Sequence, residues 1–94
     1  MNNQQIEICK SIANHYGKDS QVLIAIEEMS ELTKELCKYF RRYDRRREII
    51  EEMADAEIML EQLTELFKCD KEVSEMIDYK LRRQTKRMKQ ERGD

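Results

Sequence analysis

Residues 21–42 read QVLIAIEEMSELTKELCKYFRR and contain neither proline nor glycine. Apolar side chains recur there every three or four positions, which is the spacing of a helix that buries one face. This stripe consists of Val22, Ala25, Met29, Leu32, Leu36 and Phe40. The stretch therefore predicts a long amphipathic helix. Gly17 is expected to end an earlier helix, and Asp19 or Ser20 to cap this one.

The rest of the chain predicts three further helices around this one. A short first helix is expected over residues 4–16, and a long third helix after the cap Asp44, through about Lys68. The third helix has its own stripe of Ile49, Met53, Ala56, Leu60, Leu63 and Phe67. Asp70 is expected to cap a fourth helix, whose basic end frays over about residues 86–94.

The whole chain of 94 residues contains no proline and two glycines, and has room for one small domain. We therefore expect a single all-α domain over residues 1–94, a helical bundle with two long and two short helices. So few helices bury a thin core, and small helical units often associate. The expected state is an oligomer, most simply a dimer.

Charge is nearly balanced overall but unevenly distributed. Twenty acids against eighteen bases give a net charge of -2, which excludes a wholly basic nucleic-acid binder and a disordered polyacid. Residues 79–94 hold seven bases and two acids, or +5, so the remaining residues carry -7. An acidic body can attract a cation, whereas a basic C-terminal segment can attract a polyanion.

The lack of a targeting pattern in this sequence and the spacing of its cysteines predict a cytoplasmic protein. No apolar run approaches the roughly 18 residues that a bilayer span needs, and the N-terminus lacks a signal-peptide pattern. Cys9, Cys37 and Cys69 are odd in number and widely spaced, which suits neither a disulfide framework nor a zinc site. The arginines around Tyr43 are interpreted as an exposed turn. Neither a membrane nor a nucleic acid is expected as a partner.

Several carboxylates fall on the apolar side of the two long helices. At about 100° per residue, Glu28 lies between apolar neighbours, with Glu31 at i+3 and Glu35 at i+7 along the same edge. The third helix has the same arrangement, because Glu52 lies among apolar positions and Asp55 follows it at i+3. An ionised carboxylate against apolar surface must be paired, protonated or bound to a metal. Spacing alone leaves open the alternative of solvated acidic faces paired with lysines such as Lys34 and Lys38.

If these acids bind a metal, their chemistry favours a hard divalent cation. Oxygen ligands without a histidine or cysteine suit Mg²⁺, with Mn²⁺ as a substitute. A di-iron centre in a helical bundle would need Glu-x-x-His pairs. The one histidine, His15, stands in the short first helix, where it is interpreted as a surface residue at the helix end.

The two acidic motifs resemble those of a known enzyme family. Residues 27–31 read EEMSE, an EExxE pattern, and residues 52–55 read EMAD, an ExxD pattern. In order and separation these resemble the MazG-like all-α nucleoside triphosphate pyrophosphohydrolases, and the similarity extends over nearly the whole chain. The resemblance implies a helical bundle completed by dimerisation or tetramerisation, which hydrolyses nucleoside triphosphates to monophosphate and pyrophosphate with Mg²⁺.

The resemblance implies a set of site residues, which are the positions of this sequence that match the family's motifs. The implied metal ligands are Glu28, Glu31, Glu52 and Asp55. In members of this family, basic residues near the C-terminus contact the phosphates. Lys80 and Arg83 resemble them here, although less closely than the acidic motifs resemble theirs. A lysine as a point charge and an arginine as a fork both suit phosphate, although a solvated basic segment would have the same composition.

The expected activity is that of a hydrolase, and removal of noncanonical nucleotides is a housecleaning role that would suit it. Water would attack the α-phosphorus, with Glu31 or Glu35 as the carboxylate that orients it or accepts its proton. The alternative is a non-catalytic helical oligomerisation or regulatory module, in which the acids only keep the protein soluble. Binding of Mg²⁺ together with a triphosphate distinguishes these two hypotheses.

Overall fold

The computed structural model describes residues 1–93, and every regular element among them is an α-helix. The helices are α1 (Asn3–Tyr16), α2 (Lys18–Phe40), α3 (Arg46–Phe67) and α4 (Asp70–Glu91). The all-α prediction with four helices is confirmed. The prediction of two short helices is correct only for α1, because α4 has 22 residues and is as long as α3. Over the same residues, none of the helices is long and apolar enough to cross a bilayer.

The helix ends differ from the predicted caps. Gly17 has a φ of 86°, its N–H donates to the carbonyl of Ala13, and its own carbonyl accepts from the N–H of Gln21. One glycine thus ends α1 and begins α2, because it adopts the left-handed φ without strain. This leaves no linker, so Asp19 falls in the first turn of α2 and does not cap it.

The predicted caps of α3 and α4 also lie elsewhere. Arg45 precedes α3 and Cys69 precedes α4, and neither forms a side-chain cap hydrogen bond. Asp44 therefore stands one residue too early, whereas Asp70 is the first residue of α4. There the negative charge of Asp70 still favours the helix N-terminus through the dipole. The helix continues without interruption through residue 86 to Glu91, where the sequence predicted fraying.

Helices α2 and α3 form an antiparallel pair that contains most of the small core. Gln21 bonds to Gln62 near one end, and Glu35 bonds to Arg45 near the other. The two glutamines are both about 2% exposed, and the side-chain N–H of Gln62 donates to the side-chain oxygen of Gln21 across the helix pair. A buried amide without a partner would be costly, so this hydrogen bond favours one register of α2 against α3.

The core is smaller than the apolar stripes predicted. The buried apolar residues are Cys9, Ala13, Ala25, Ala56 and Met59. From the predicted stripe of α3, Met53, Leu60 and Phe67 are about half exposed. The cause is that α2 covers the side of α3 that carries Ala56 and Met59, and no other helix within residues 1–93 covers the Leu60 side closely.

Helix α4 extends away from the other three. It packs only against α3, and none of its residues from Asp70 to Glu91 is buried. The radius of gyration is 16.4 Å, whereas a compact domain of this length has one of about 12 Å. A single copy therefore leaves one side of the α2–α3 pair and nearly all of α4 without a packing partner.

Candidate metal centre

Three carboxylates from two helices converge between α2 and α3. Glu28 projects from α2, while Glu52 and Asp55 project from α3, one turn apart. One oxygen from each of the three lies within 4.8 Å of the others. Glu28 and Glu52 are half-buried and Asp55 is exposed, so the cluster opens to solvent on one side. The structure brings together three of the four residues that the sequence suggested as ligands, and we call them the acid cluster.

The electrostatics of the acid cluster oppose full ionisation. Burial raises the pKa of Glu28, and the nearby charges of Asp55 and Glu52 raise it further. Burial likewise raises the pKa of Glu52, followed by the charges of Asp55, Glu31 and Glu35. Like charges held close together favour the protonated form unless a cation compensates them. The cluster is therefore a place where a proton or a metal ion would lower the free energy.

One oxygen of this cluster has an unmet hydrogen-bonding need. Among the described residues, the buried Oε2 atom of Glu52 has no hydrogen-bond partner. A buried carboxylate oxygen without a donor is unfavourable, because it loses water and gains nothing in return. A ligand that supplies positive charge at this atom would remove that cost.

Glu31 and Glu35, the suggested catalytic carboxylates, occupy different environments. Glu31 is exposed and lies outside the three-residue acid cluster, although its charge helps to raise the pKa of Glu28 and Glu52. Glu35 is only 6% exposed. The sequence places both residues on the edge that also carries Glu28, and the charge coupling agrees with that placement.

Glu35 is held by a pair of cations. Arg45 donates from Nε to Oε2 at 2.8 Å and from a terminal nitrogen to Oε1 at 3.0 Å, and Lys38 donates to Oε1 at 3.4 Å. The hydrogen bonds from Arg45 lower the pKa of Glu35 and raise the pKa of Arg45 itself. Such a bidentate pair is geometrically specific. It fixes the start of α3 to the C-terminal part of α2.

Lys80 and Arg83, the suggested phosphate ligands, lie away from the acid cluster within one chain. Arg83 lies over the ring of Tyr79 at 5.7 Å. The groove between α3 and α4 is lined on α3 by Glu57 and Thr64, among others. These two positions are about 160–180° around the helix from Asp55. Glu57 and Thr64 therefore line the groove from the side of α3 away from Asp55.

Arg45 and the Gln21–Gln62 pair are structural features that the sequence did not indicate. The sequence groups Arg45 with an exposed arginine-rich turn, but the residue is half-buried and bonded to Glu35. The one available signal is that Glu35 lies on the core-bordering edge and needs a cation near the end of α2. The glutamines lack a signal, because amide side chains occur equally on solvated faces.

Comparisons of this chain with protein-family models, with curated proteins and with solved structures find no match. The carboxylate geometry and the chemistry that it permits are therefore the guide to function. Three oxygen donors with an open side can bind a hard divalent cation and still leave positions for water or phosphate.

Proposed function

We propose that this protein is a Mg²⁺-dependent nucleoside triphosphate pyrophosphohydrolase. The observation that carries the proposal is the convergence of Glu28, Glu52 and Asp55 from two helices, with a buried oxygen of Glu52 that lacks a donor. The EExxE and ExxD motifs that contain these residues support the same activity through their resemblance to the MazG-like enzymes. Removal of noncanonical nucleotides is a role that such an activity would suit.

The donor set fits Mg²⁺, with Mn²⁺ as a substitute. Glu28, Glu52 and Asp55 would hold the ion, and Glu31, the fourth ligand that the resemblance implies, is exposed and outside this group. All of these ligands are carboxylates, which favours hard cations over zinc or copper. When bound, Mg²⁺ would supply positive charge to the triphosphate oxygens and to the leaving pyrophosphate.

The reaction requires a water molecule that is oriented toward the α-phosphorus. The water oxygen forms a bond to that phosphorus, the bond from the α-phosphorus to the bridging oxygen breaks, and pyrophosphate leaves. A proton from the water passes to a nearby carboxylate or to solvent. We assign the orienting role to Glu31, because it is exposed and beside the cluster. Glu35 already accepts hydrogen bonds from Arg45 and Lys38, so we assign it a positioning role.

The activity is tested with a panel of nucleoside triphosphates and Mg²⁺, by measuring pyrophosphate release. Glu52→Gln and Asp55→Asn should each reduce the rate by at least about 100-fold, since even partners of metal ligands typically contribute 10–100-fold. Glu57→Gln is the matched control, because Glu57 is an exposed acid on the opposite side of α3. Activity that survives both cluster variants, with helicity intact, would contradict the site.

The second candidate function is a non-catalytic helical module, for association or regulation, which the extended α4 favours. Calorimetry with Mg²⁺ and a nonhydrolysable triphosphate distinguishes the two, because a plain bundle should bind neither tightly. A phosphate-binding role for Lys80 and Arg83 belongs to the first candidate. Since α4 contacts only α3 and none of its residues is buried, such a role would bring α4 of one copy to the acids of a second copy.

A further inference from the structure

The turn that joins α2 to α3 concentrates arginines and aromatic rings at one end of the helix pair. We call residues 39–47 the arginine-rich turn, and they read YFRRYDRRR. Five arginines and one aspartate give this turn a net charge of +4, although the whole chain has -2. Three of the six tyrosines and phenylalanines of the chain also lie there, at positions 39, 40 and 43. Strong positive charge and aromatic rings therefore occupy the same short segment.

The rings of this turn are exposed to solvent. Tyr39 is 64% exposed, Phe40 is 83% exposed and Tyr43 is 59% exposed. Tyr39 and Phe40 meet edge to face, with 5.5 Å between the ring centroids and 74° between the ring planes. A phenylalanine with this exposure contributes little packing to the fold and keeps a ring face open to another planar group. The rings are therefore free to contact a partner.

The fold uses only part of the positive charge of the turn. Arg45 is bonded to Glu35, and Arg47 forms an exposed ion pair within α3. Within residues 1–93, the side chains of Arg42 and Arg46 form neither an ion pair nor a hydrogen bond. Arg46 and Arg47 also stand in the first turn of α3, where the helix dipole disfavours a cation. An anionic partner would offset that unfavourable charge.

A groove of about 530 Å³ places the rings and the charges side by side. It is lined by Tyr39, Phe40, Arg42, Tyr43 and Asp44. Arginine suits a phosphate, aromatic rings stack on nucleic-acid bases, and a carboxylate accepts from the amino group of a base. An acidic peptide would leave the rings unused and would be repelled by Asp44. A lipid surface requires the rings on one side and the charges on the other, and this groove mixes them.

The turn is held in a defined conformation by its own backbone. Arg42 has a left-handed φ of 63°, and its N–H donates to the carbonyl of Tyr39 at 3.0 Å. The N–H of Tyr43 donates to the carbonyl of Lys38 at 3.4 Å. This pair of hydrogen bonds is a Schellman motif, in which the left-handed residue is usually glycine. A preorganised turn loses less conformational freedom when a ligand binds.

We propose that the arginine-rich turn binds single-stranded nucleic acid, with phosphates on its arginines and bases stacked on its rings. Single strands expose both a charged backbone and the faces of their bases, whereas a duplex stacks its bases on one another. This proposal departs from the expectation from the sequence, which did not include the exposure of the rings or the lack of partners for two arginines. Phe40 lies about 18 Å along α2 from Glu28, so the proposal goes beyond the hydrolase function and holds whether or not the acid cluster is catalytic.

The test is fluorescence anisotropy of labelled oligonucleotides of about 12 nucleotides, titrated with the full chain in the presence of a chelator. A single-stranded DNA and a single-stranded RNA of the same mixed sequence are compared with a DNA duplex and with vesicles of anionic phospholipid. Polyglutamate serves as a competitor. Four arginines of the turn are exposed, at positions 41, 42, 46 and 47. If each contacts a phosphate, binding should be about 50-fold weaker at about 200 mM salt than at about 50 mM.

Two matched double variants locate the charge that binds. Arg42→Gln with Arg46→Gln should weaken binding about 25-fold at about 0.1 M salt, since each lost phosphate contact contributes about fivefold there. Lys86→Gln with Arg87→Gln is the control, because it removes the same charge from exposed positions of α4. The control should keep most of the wild-type affinity. Circular dichroism checks that both variants retain their helices.

A second pair of variants tests the stacking. Phe40→Ala should weaken binding about 5- to 150-fold, which is the usual contribution of a ring stacked on a base. Tyr16→Ala is the control, since Tyr16 is 57% exposed at the end of α1, and it should bind as the wild type does. Both rings are exposed, so neither change removes a buried contact.

Binding of either single strand with these losses supports the proposal. Failure of both strands to bind at about 50 mM salt would overturn it, since electrostatic attraction is strong under that condition. Tighter binding to the duplex or to the vesicles, or displacement of the strand by polyglutamate at equal charge, would also overturn it. The same holds if Phe40→Ala keeps the wild-type affinity, or if the α4 control loses as much affinity as the double variant of the turn.

Discussion

Replacement of Glu52 by glutamine should have opposite effects on stability with and without Mg²⁺. The three carboxylates of the acid cluster form three pairwise repulsions, and Glu52→Gln removes the two that involve residue 52. Because burial and like charge raise the pKa of Glu52, its ionised form destabilises the metal-free protein at neutral pH. The metal-free variant should therefore melt at a higher temperature than the metal-free wild type.

Added Mg²⁺ should reverse that order. At a free concentration 100 times the Kd of the wild type, binding contributes about 2.7 kcal/mol. For a domain of this size about 1 kcal/mol shifts the melting temperature by roughly 4–8 °C, so the wild type should gain about 10–20 °C. If Glu52→Gln weakens binding about 100-fold, the same Mg²⁺ contributes only about 0.4 kcal/mol, or roughly 2–3 °C.

The assay is thermal unfolding followed by circular dichroism, at one protein concentration, with Mg²⁺ or with a chelator. Glu57→Gln serves as the control and should follow the wild type in both conditions. A lower melting temperature of Glu52→Gln than of the wild type in chelator would contradict charge repulsion at residue 52. A gain from Mg²⁺ as large as that of the wild type would contradict a metal-binding role for Glu52.

Two further predictions concern the polar contacts that position the cluster. Gln62→Ala should destabilise the fold by about 1–3 kcal/mol in urea unfolding because it leaves the buried amide of Gln21 unpaired, and additional replacement of Gln21 by leucine should recover much of that loss. Arg45→Gln should lower the melting temperature at neutral pH, because Arg45 holds the pKa of Glu35 below its ordinary range. That loss should shrink as the pH falls below the ordinary range of a glutamate and through the lowered pKa of Glu35, and a pH-independent loss would contradict the pairing.

The sequence predicted the helices better than the surfaces that they bury. Periodicity identifies a helix and its apolar stripe, but it does not state whether another helix of the same chain will cover that stripe. Met53 and Leu60 belong to the stripe of α3, yet they are exposed because α4 diverges. Instead, α2 covers Met59 and Gln62. The position of a fourth helix depends on its contacts, which the period of the sequence does not encode.

The candidate site was more accessible to sequence reasoning than the core was. A carboxylate within or beside an apolar stripe is a local anomaly, and that rule selects Glu28, Glu31, Glu35, Glu52 and Asp55 from the sequence. The structure brings three of these five together. The rule does not identify Arg45, because ten residues and a turn separate Arg45 from Glu35. Lys80 could not be placed from the sequence for a different reason. Its position on the apolar side of α4 does not determine which helix, or which copy of the chain, that side of α4 faces.

The carboxylates of the acid cluster repel one another in the metal-free protein, and the cluster is open to solvent on one side. Half-burial of Glu28 and Glu52 raises their pKa, while the exposed Asp55 keeps one side open to water and ligands. Sites that accept a strained charge arrangement are commonly functional, because the strain is relieved by the ligand. The bidentate Arg45–Glu35 pair then keeps α2 and α3 in register next to that arrangement.

The most direct test of the proposed reaction is the fate of isotope-labelled water during turnover. The wild-type protein is incubated with a nucleoside triphosphate and Mg²⁺ in water that carries heavy oxygen, and the products are weighed by mass spectrometry. Attack at the α-phosphorus predicts equal amounts of monophosphate and pyrophosphate, with the label in the monophosphate alone. Glu52→Gln should form these products at least about 100-fold more slowly. Label in pyrophosphate, release of orthophosphate, or no turnover of any triphosphate in the panel would contradict the account.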